Sequence, residues 1–187
     1  MSADTERDLG YVRDVVRRSE RRAMPGTILY LWAAISVAGF AIIDAAPQRA
    51  GLYWLVAGIA GFVLSSWIGA RHARATGQES REMGRRQMLH WGGMGAAIFL
   101  LSFGAQGWGS TAQASSHAIL LIVALSYWMA GVHLAPPLKW MGVIAAASYL
   151  ALAFLDDFPY PWTAAGVVLA AGLIVAGHAG GAAGDEG

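Results

Sequence analysis

The amino-acid sequence predicts an all-α polytopic membrane helix bundle of about six transmembrane helices, preceded by an amphipathic cytoplasmic helix. Three observations predict it. First, the 187 residues are 56% hydrophobic and only 13% charged, whereas a soluble domain carries roughly a quarter charged residues. Second, long apolar runs recur at 27–45, 51–70, 88–106, 116–135, 138–155 and 161–178, lengths that suit about 30 Å of hydrocarbon at about 1.5 Å per helical residue. Third, lysine and arginine fall almost wholly on alternate connections, as the positive-inside rule requires of a cytoplasmic face.

The segment ahead of the first run divides its charges along its length. Asp4, Glu6 and Asp8 come early and Arg17, Arg18, Arg21 and Arg22 late, which complements a helix dipole. Thr5 and Asp8 have capping-box spacing, and Pro25-Gly26 supplies a stop. Leu9, Val12 and Val16 repeat at helical spacing, so a helix over about 5–23 is expected to lie on the membrane surface or against a partner. The first run lacks a clean small-residue cleavage site and is read as a retained span.

The six runs are continuously apolar rather than alternating, which favours helices over a barrel. The connections are short and polar except for 71–87, a basic stretch expected to extend the second span outward and turn at Gly77. Pro25, Pro47, Pro136, Pro137, Pro159 and Pro161 all mark span ends, so no broken helix is expected at the midplane. Six basic residues precede the first span, five lie in 71–87 and Lys139 in the fourth connection, against Arg49 alone on the opposite side. Both termini are therefore expected on the cytoplasmic side of an inner (plasma) membrane. Trp54, Trp91, Trp108, Trp140 and Trp162 fall near span ends, where amphipathic rings prefer the interface. The domains read as a cytoplasmic helix (1–25), a transmembrane domain (26–179) and a cytoplasmic tail (180–187).

Candidate chemistry is sparse. With no cysteine, disulfides, thiolate nucleophiles and cysteine-based zinc sites are excluded. A net charge of +1 argues against a nucleic-acid partner, which calls for a strongly basic face. No Gly-x-Ser-x-Gly, His-Glu-x-x-His or Walker-type loop occurs, so the reading leans away from an enzyme. Ser115-Ser116-His117 puts its serines and histidine on different helix faces. Asp44, at the outer end of the first span, is expected to be a wet interfacial carboxylate. A proton-coupled carrier would want such a group near the midplane.

Two patterns remain. His72, His90, His133 and His178 are expected near the cytoplasmic ends of their spans, a layer suited to a metal ion or to a haem held by His90 and His133. Ala57, Gly61, Ser65 and Gly69 form a small-residue stripe along the second span, which lets a neighbour approach closely. The neighbour is expected in the same chain, with a homo-oligomer seam as the alternative.

Asp8-Leu9-Gly10-Tyr11-Val12-Arg13, followed by Arg18-Ser19 and by Pro25-Gly26 at the membrane entry, resembles the start of a group of small bacterial multi-pass membrane proteins. Several of that group are encoded beside a winged-helix transcription regulator. The resemblance implies a membrane-bound regulatory or sensory partner whose cytoplasmic helix contacts a soluble protein, and it supplies no reaction. The expected function is accordingly regulatory, sensory or scaffolding, through Leu9, Val12, Val16, Arg17, Arg21, Arg85 and Arg86. A haem- or metal-binding redox protein and a small transporter or channel are the alternatives.

Overall fold

The computed structural model describes residues 25–77, 80–107, 112–152, 154 and 158–182. These form six helices: α1 (Gly26–Ala45), α2 (Pro47–Ala75), α3 (Arg81–Gly107), α4 (Ala112–His133), α5 (Leu138–Leu152) and α6 (Pro161–Ala182). The expected amphipathic helix over 5–23, with Leu9, Val12, Val16, Arg17 and Arg21, lies outside the described residues, as do Asp156-Asp157 and the last five residues of the tail.

Proline and glycine set the ends of the elements. Pro47 and Pro161 occupy the first helical turn of α2 and α6, where the missing N–H costs nothing. Ala46 alone links α1 to α2, and its N–H donates to the Ile42 carbonyl at 2.8 Å. At the other end of α2, Thr76 N–H donates to the His72 carbonyl and Gly77 turns away with φ +65, a left-handed conformation natural to glycine. The Ser80 hydroxyl then accepts from Met83 N–H and starts α3.

Among the described residues four helices, α1, α2, α4 and α6, are long and apolar enough to cross a membrane, and α3, one of the six expected spans, is not one of them. α2, at 29 residues, is about 44 Å long, longer than the roughly 30 Å of a bilayer's hydrocarbon, and it continues past 70 to Ala75 before the turn at Gly77. The structure corrects other boundaries. α3 begins at Arg81 rather than 88, which makes much of the 71–87 connection helical, and α4 spans 112–133 rather than 116–135. α5 ends at Leu152 after 15 residues, about 22 Å, which is short of a full crossing. α6 runs past 179 to Ala182.

Helix pairings follow one series: α2 packs on α1, α1 on α6, α6 on α5, α5 on α4 and α4 on α3. Neighbours run antiparallel. Gly26 at the start of α1 meets Gly177 late in α6, and Gly131 late in α4 meets Lys139 at the start of α5. The core comes from four of the helices, through Leu29, Ala33 and Phe40 of α1, Leu120, Ala124 and Ala130 of α4, Met141 and Ala145 of α5, and Trp162, Leu169 and Leu173 of α6. α2 and α3 flank this core, each with its principal contacts on one neighbour.

Lipid gives no hydrophobic incentive for helices to associate, so these contacts rest on close van der Waals packing between small residues. At Gly142 of α5 an added Cβ would stand 2.6 Å from Trp128 N and 2.8 Å from the Ala124 carbonyl oxygen of α4. Only a hydrogen fits there. The small stripe of α2 is used in the same way and within the chain. Gly61 is buried, and an added Cβ would meet Ile35 and Trp32 of α1. Ser65 accepts a hydrogen bond from Trp32 Nε1 at 3.0 Å, and Tyr53 OH donates to the Ile35 carbonyl at 2.8 Å. The Ala57/Gly61/Ser65/Gly69 face considered for a homo-oligomer is thus occupied by α1.

Gly93, by contrast, has open space where its Cβ would be. Gly142→Leu should lower unfolding stability in mild detergent by about 2 kcal/mol or more, an overpacking cost, while Gly93→Leu stays within about 0.5 kcal/mol of the parent. Circular dichroism during denaturation reads both, and equal losses would contradict this packing.

Candidate functional site

Polar and charged side chains gather at the two ends of the bundle. One end carries the C-terminus of α2, the N-termini of α3 and α5, and the start of α1. Arg71, Arg74, Arg81, Arg85, Arg86 and Lys139 lie there, whereas Arg49 stands at the opposite end. Arg85 is exposed, and Arg86 pairs with Glu82 one turn away. The Arg71 guanidinium sits over the Trp67 ring and the Lys139 ammonium over Trp140, each 5.6 Å from the ring centroid, a cation–π arrangement that holds the charge above an apolar ring.

The four histidines proposed from the sequence as a metal layer occupy separate helices at this end, and their side chains do not converge. His178 of α6 has Nδ1 3.1 Å from Tyr30 OH of α1 and 2.9 Å from the Ile174 carbonyl. His90 of α3, half-buried, has Nε2 3.0 Å from the Ser126 carbonyl of α4 and lies edge-on to Trp91. His133 is exposed at the end of α4, and His72 lies on α2. Among the described residues no three histidine, aspartate or glutamate side chains come together as a metal-binding group. His72 and His90 sit on α2 and α3, which are not one of the principal helix pairs.

The far end holds the more concentrated set. Pro161 begins α6, and the residue before it, Tyr160, has no oxygen suited to capping. The first N–H groups of α6 therefore need an outside acceptor, and Asp44 of α1 supplies it. Its carboxylate accepts from Thr163 N–H at 2.7 Å, Thr163 Oγ1 at 2.6 Å and Trp162 N–H at 3.3 Å. A carboxylate at a helix N-terminus is favoured both by these bonds and by the helix dipole. Asp44 is thus a tertiary cap, not the wet interfacial carboxylate expected.

Around this cap lies an aromatic layer. Trp162 is 4% exposed, so it packs inward instead of facing the interface. Phe40 stacks on it at 5.8 Å between centroids and meets Trp54 of α2 edge-on at 5.7 Å. His117 of α4 lies edge-on to Trp162 at 4.8 Å and to Tyr149 of α5 at 6.0 Å. Ser115, Ser116 and His117 each have interaction partners of their own. This layer draws on five helices, and it was invisible in the linear sequence because His117, Tyr149 and Trp162 are linked only by helix packing. The missing N-cap before Pro161 was the one available signal.

Chemically, the arrangement binds α1 to α6 and fills the end of the bundle. Among the described residues no buried side-chain nitrogen or oxygen lacks a hydrogen-bond partner. No protein-family model, curated protein or solved structure matches the chain.

Asp44→Ala should cost about 2 kcal/mol of stability, the scale of a lost cap made by a charged acceptor. Asp44→Asn, which keeps an acceptor oxygen, should cost less. Denaturation midpoints in detergent measure the order, and an Ala variant as stable as the parent would refute the cap.

Proposed function

We propose that the chain is a six-span inner-membrane protein with both termini in the cytoplasm, serving as a membrane-embedded regulatory, sensory or scaffold partner through its basic end. The observation that carries this reading is the separation of the two ends. Exposed basic side chains gather where α2, α3 and α5 meet water, while the polar groups of the bundle interior are taken up in structural bonds. Asp44 caps α6, Ser65 receives Trp32, and Ser102 donates back to the Ile98 carbonyl at 2.8 Å, which is the usual fate of a lone hydroxyl in an apolar helix.

The arginine asymmetry orients the basic end toward the cytoplasm. Arg85 and its neighbours, together with the 5–23 segment bearing Leu9, Val12, Val16, Arg17 and Arg21, then form the surface offered to a soluble partner. The resemblance of residues 8–26 to small bacterial membrane proteins encoded beside winged-helix regulators supports a protein of that kind as the partner.

Two experiments test the two halves of this reading. The chain has no cysteine, so single cysteines report sidedness directly. A membrane-impermeant maleimide applied to spheroplasts should label Gln48→Cys and spare Ser80→Cys until the membrane is permeabilised, and the reverse pattern would overturn the orientation. Deleting residues 2–23 should leave membrane insertion intact and remove a co-purifying soluble protein; an unchanged set of interactions would sink the regulatory reading.

A further inference from the structure

The basic end holds its cations in different ways. Arg71 and Lys139 each lie over a tryptophan ring, Arg86 pairs with Glu82, and Arg74 has an interaction partner of its own. Arg81 and Arg85 remain. Both side chains are exposed on the first two turns of α3, and among the described residues neither has an ion-pair, hydrogen-bond or ring partner. Four residues apart on one helix, they share a face one turn from each other. Beyond them the outer surface of α3 becomes apolar at Leu89 and Leu100, as that of α2 does at Val63 and Trp67 before Arg71.

Two arginines without a counter-charge call for an acidic occupant, and the chain carries one of its own. Residues 2–14 hold Asp4, Glu6, Asp8 and Asp14 against Arg7 and Arg13, and Asp4 and Asp8 repeat the four-residue spacing of Arg81 and Arg85. α1 and α2 run antiparallel, so the entry to α1 and the start of α3 share one end of the bundle whichever side of the membrane it faces. The five residues between Ala75 and Arg81 span at most roughly 20 Å, and packed helices stand about 8–10 Å apart. The start of α3 is therefore within roughly 30 Å, laterally, of the start of α1. As the helix that its pattern predicts, the stretch from Asp8 to Pro25 covers about 27 Å, so the acidic residues reach the arginines. A lipid headgroup or a soluble acidic protein must be recruited from outside, whereas a tethered segment is present at about millimolar effective concentration.

We propose that residues 2–14 dock across the first two turns of α3, Asp4 and Asp8 pairing with Arg81 and Arg85, and that this contact holds the N-terminal segment back from its soluble partner. The docking hides both parts of the surface offered to that partner. Its inhibitory role rests on the regulatory reading above; the docking itself does not.

Cross-linking of the full-length protein in phosphatidylcholine nanodiscs tests it. Gly84 lies between the two arginines with open space where its Cβ would be, so a short bismaleimide should join Thr5→Cys to Gly84→Cys within one chain. Adding Arg81→Glu and Arg85→Glu should lower the yield at least about fivefold, and further adding Asp4→Arg and Asp8→Arg should restore it, which tells lost charge from a lost fold. No cross-link in the parent pair, a yield indifferent to the reversal, or a reversal without rescue would overturn the docking. Loss of the cross-link once the nanodiscs contain phosphatidylglycerol would give the arginines to lipid headgroups, and a product joining two chains would give them to a second copy; either refutes it. No soluble protein takes part in this measurement, so its failure is distinct from failure of the co-purification test. In that test the Arg81→Glu, Arg85→Glu variant should bring down about fivefold more of the partner, and unchanged recovery would overturn the inhibitory role.

Discussion

An apolar bundle cannot leave the first backbone N–H groups of a helix unpaired where water is scarce, because each unsatisfied donor costs free energy on the scale of a lost hydrogen bond. α6 begins at Pro161 without a capping side chain of its own, and the molecule meets this constraint from across the bundle. Asp44, at the end of the first helix, accepts from the first turn of the last one. That bond brings α1 and α6, remote in sequence, into the pairing that holds the four-helix core together. Close glycine contacts at Gly26, Gly166 and Gly177 run along the same interface. The carboxylate cap and these contacts together hold the α1–α6 seam.

The rest of the architecture follows from how lipid changes the terms of packing. Helices gain little by hiding leucine from acyl chains, so the seams use glycine, alanine and serine, and the large apolar side chains face outward on α2 and α3. Hydrogen bonds from Trp32 and Tyr53 fasten α2 to α1, whereas α3 rests on α4 by way of His90 and Trp91, the latter in contact with Tyr127. The two flanking helices are thus attached on one side each, and their free sides carry the exposed stripes that end in arginine. Charge at one end and a capped, aromatic-filled opposite end give the molecule its polarity.

Much of this was readable from residues alone. Run length located each helix to within a few residues at most ends, prolines marked the boundaries, Gly77 marked the turn after α2, and the small stripe of α2 announced a close neighbour. These features are local, and local physics decides them. What escaped the sequence was convergence in space. His72, His90, His133 and His178 all fall toward the same ends of their spans by sequence, but that says nothing of lateral position, and among the described residues no three of the possible ligands come together. Asp44 looked solvated because its partners are 118 and 119 residues away. α5 looked like a full span because apolar residues continue past Leu152, and composition alone does not mark where the helix stops.

The closure of α1 on α6 is the claim on which this account rests, and a single pair of cysteines tests it directly in a chain that otherwise has none. Oxidation of the Phe40→Cys, Gly166→Cys double variant, which leaves Asp44 in place and joins α1 to α6 where the two backbones approach closely, should yield an intramolecular disulfide in native membranes, while a Phe40→Cys, Ser80→Cys pair, toward opposite ends of the bundle, should remain reduced. A failure of the first pair to cross-link, or equal cross-linking of both, would contradict it.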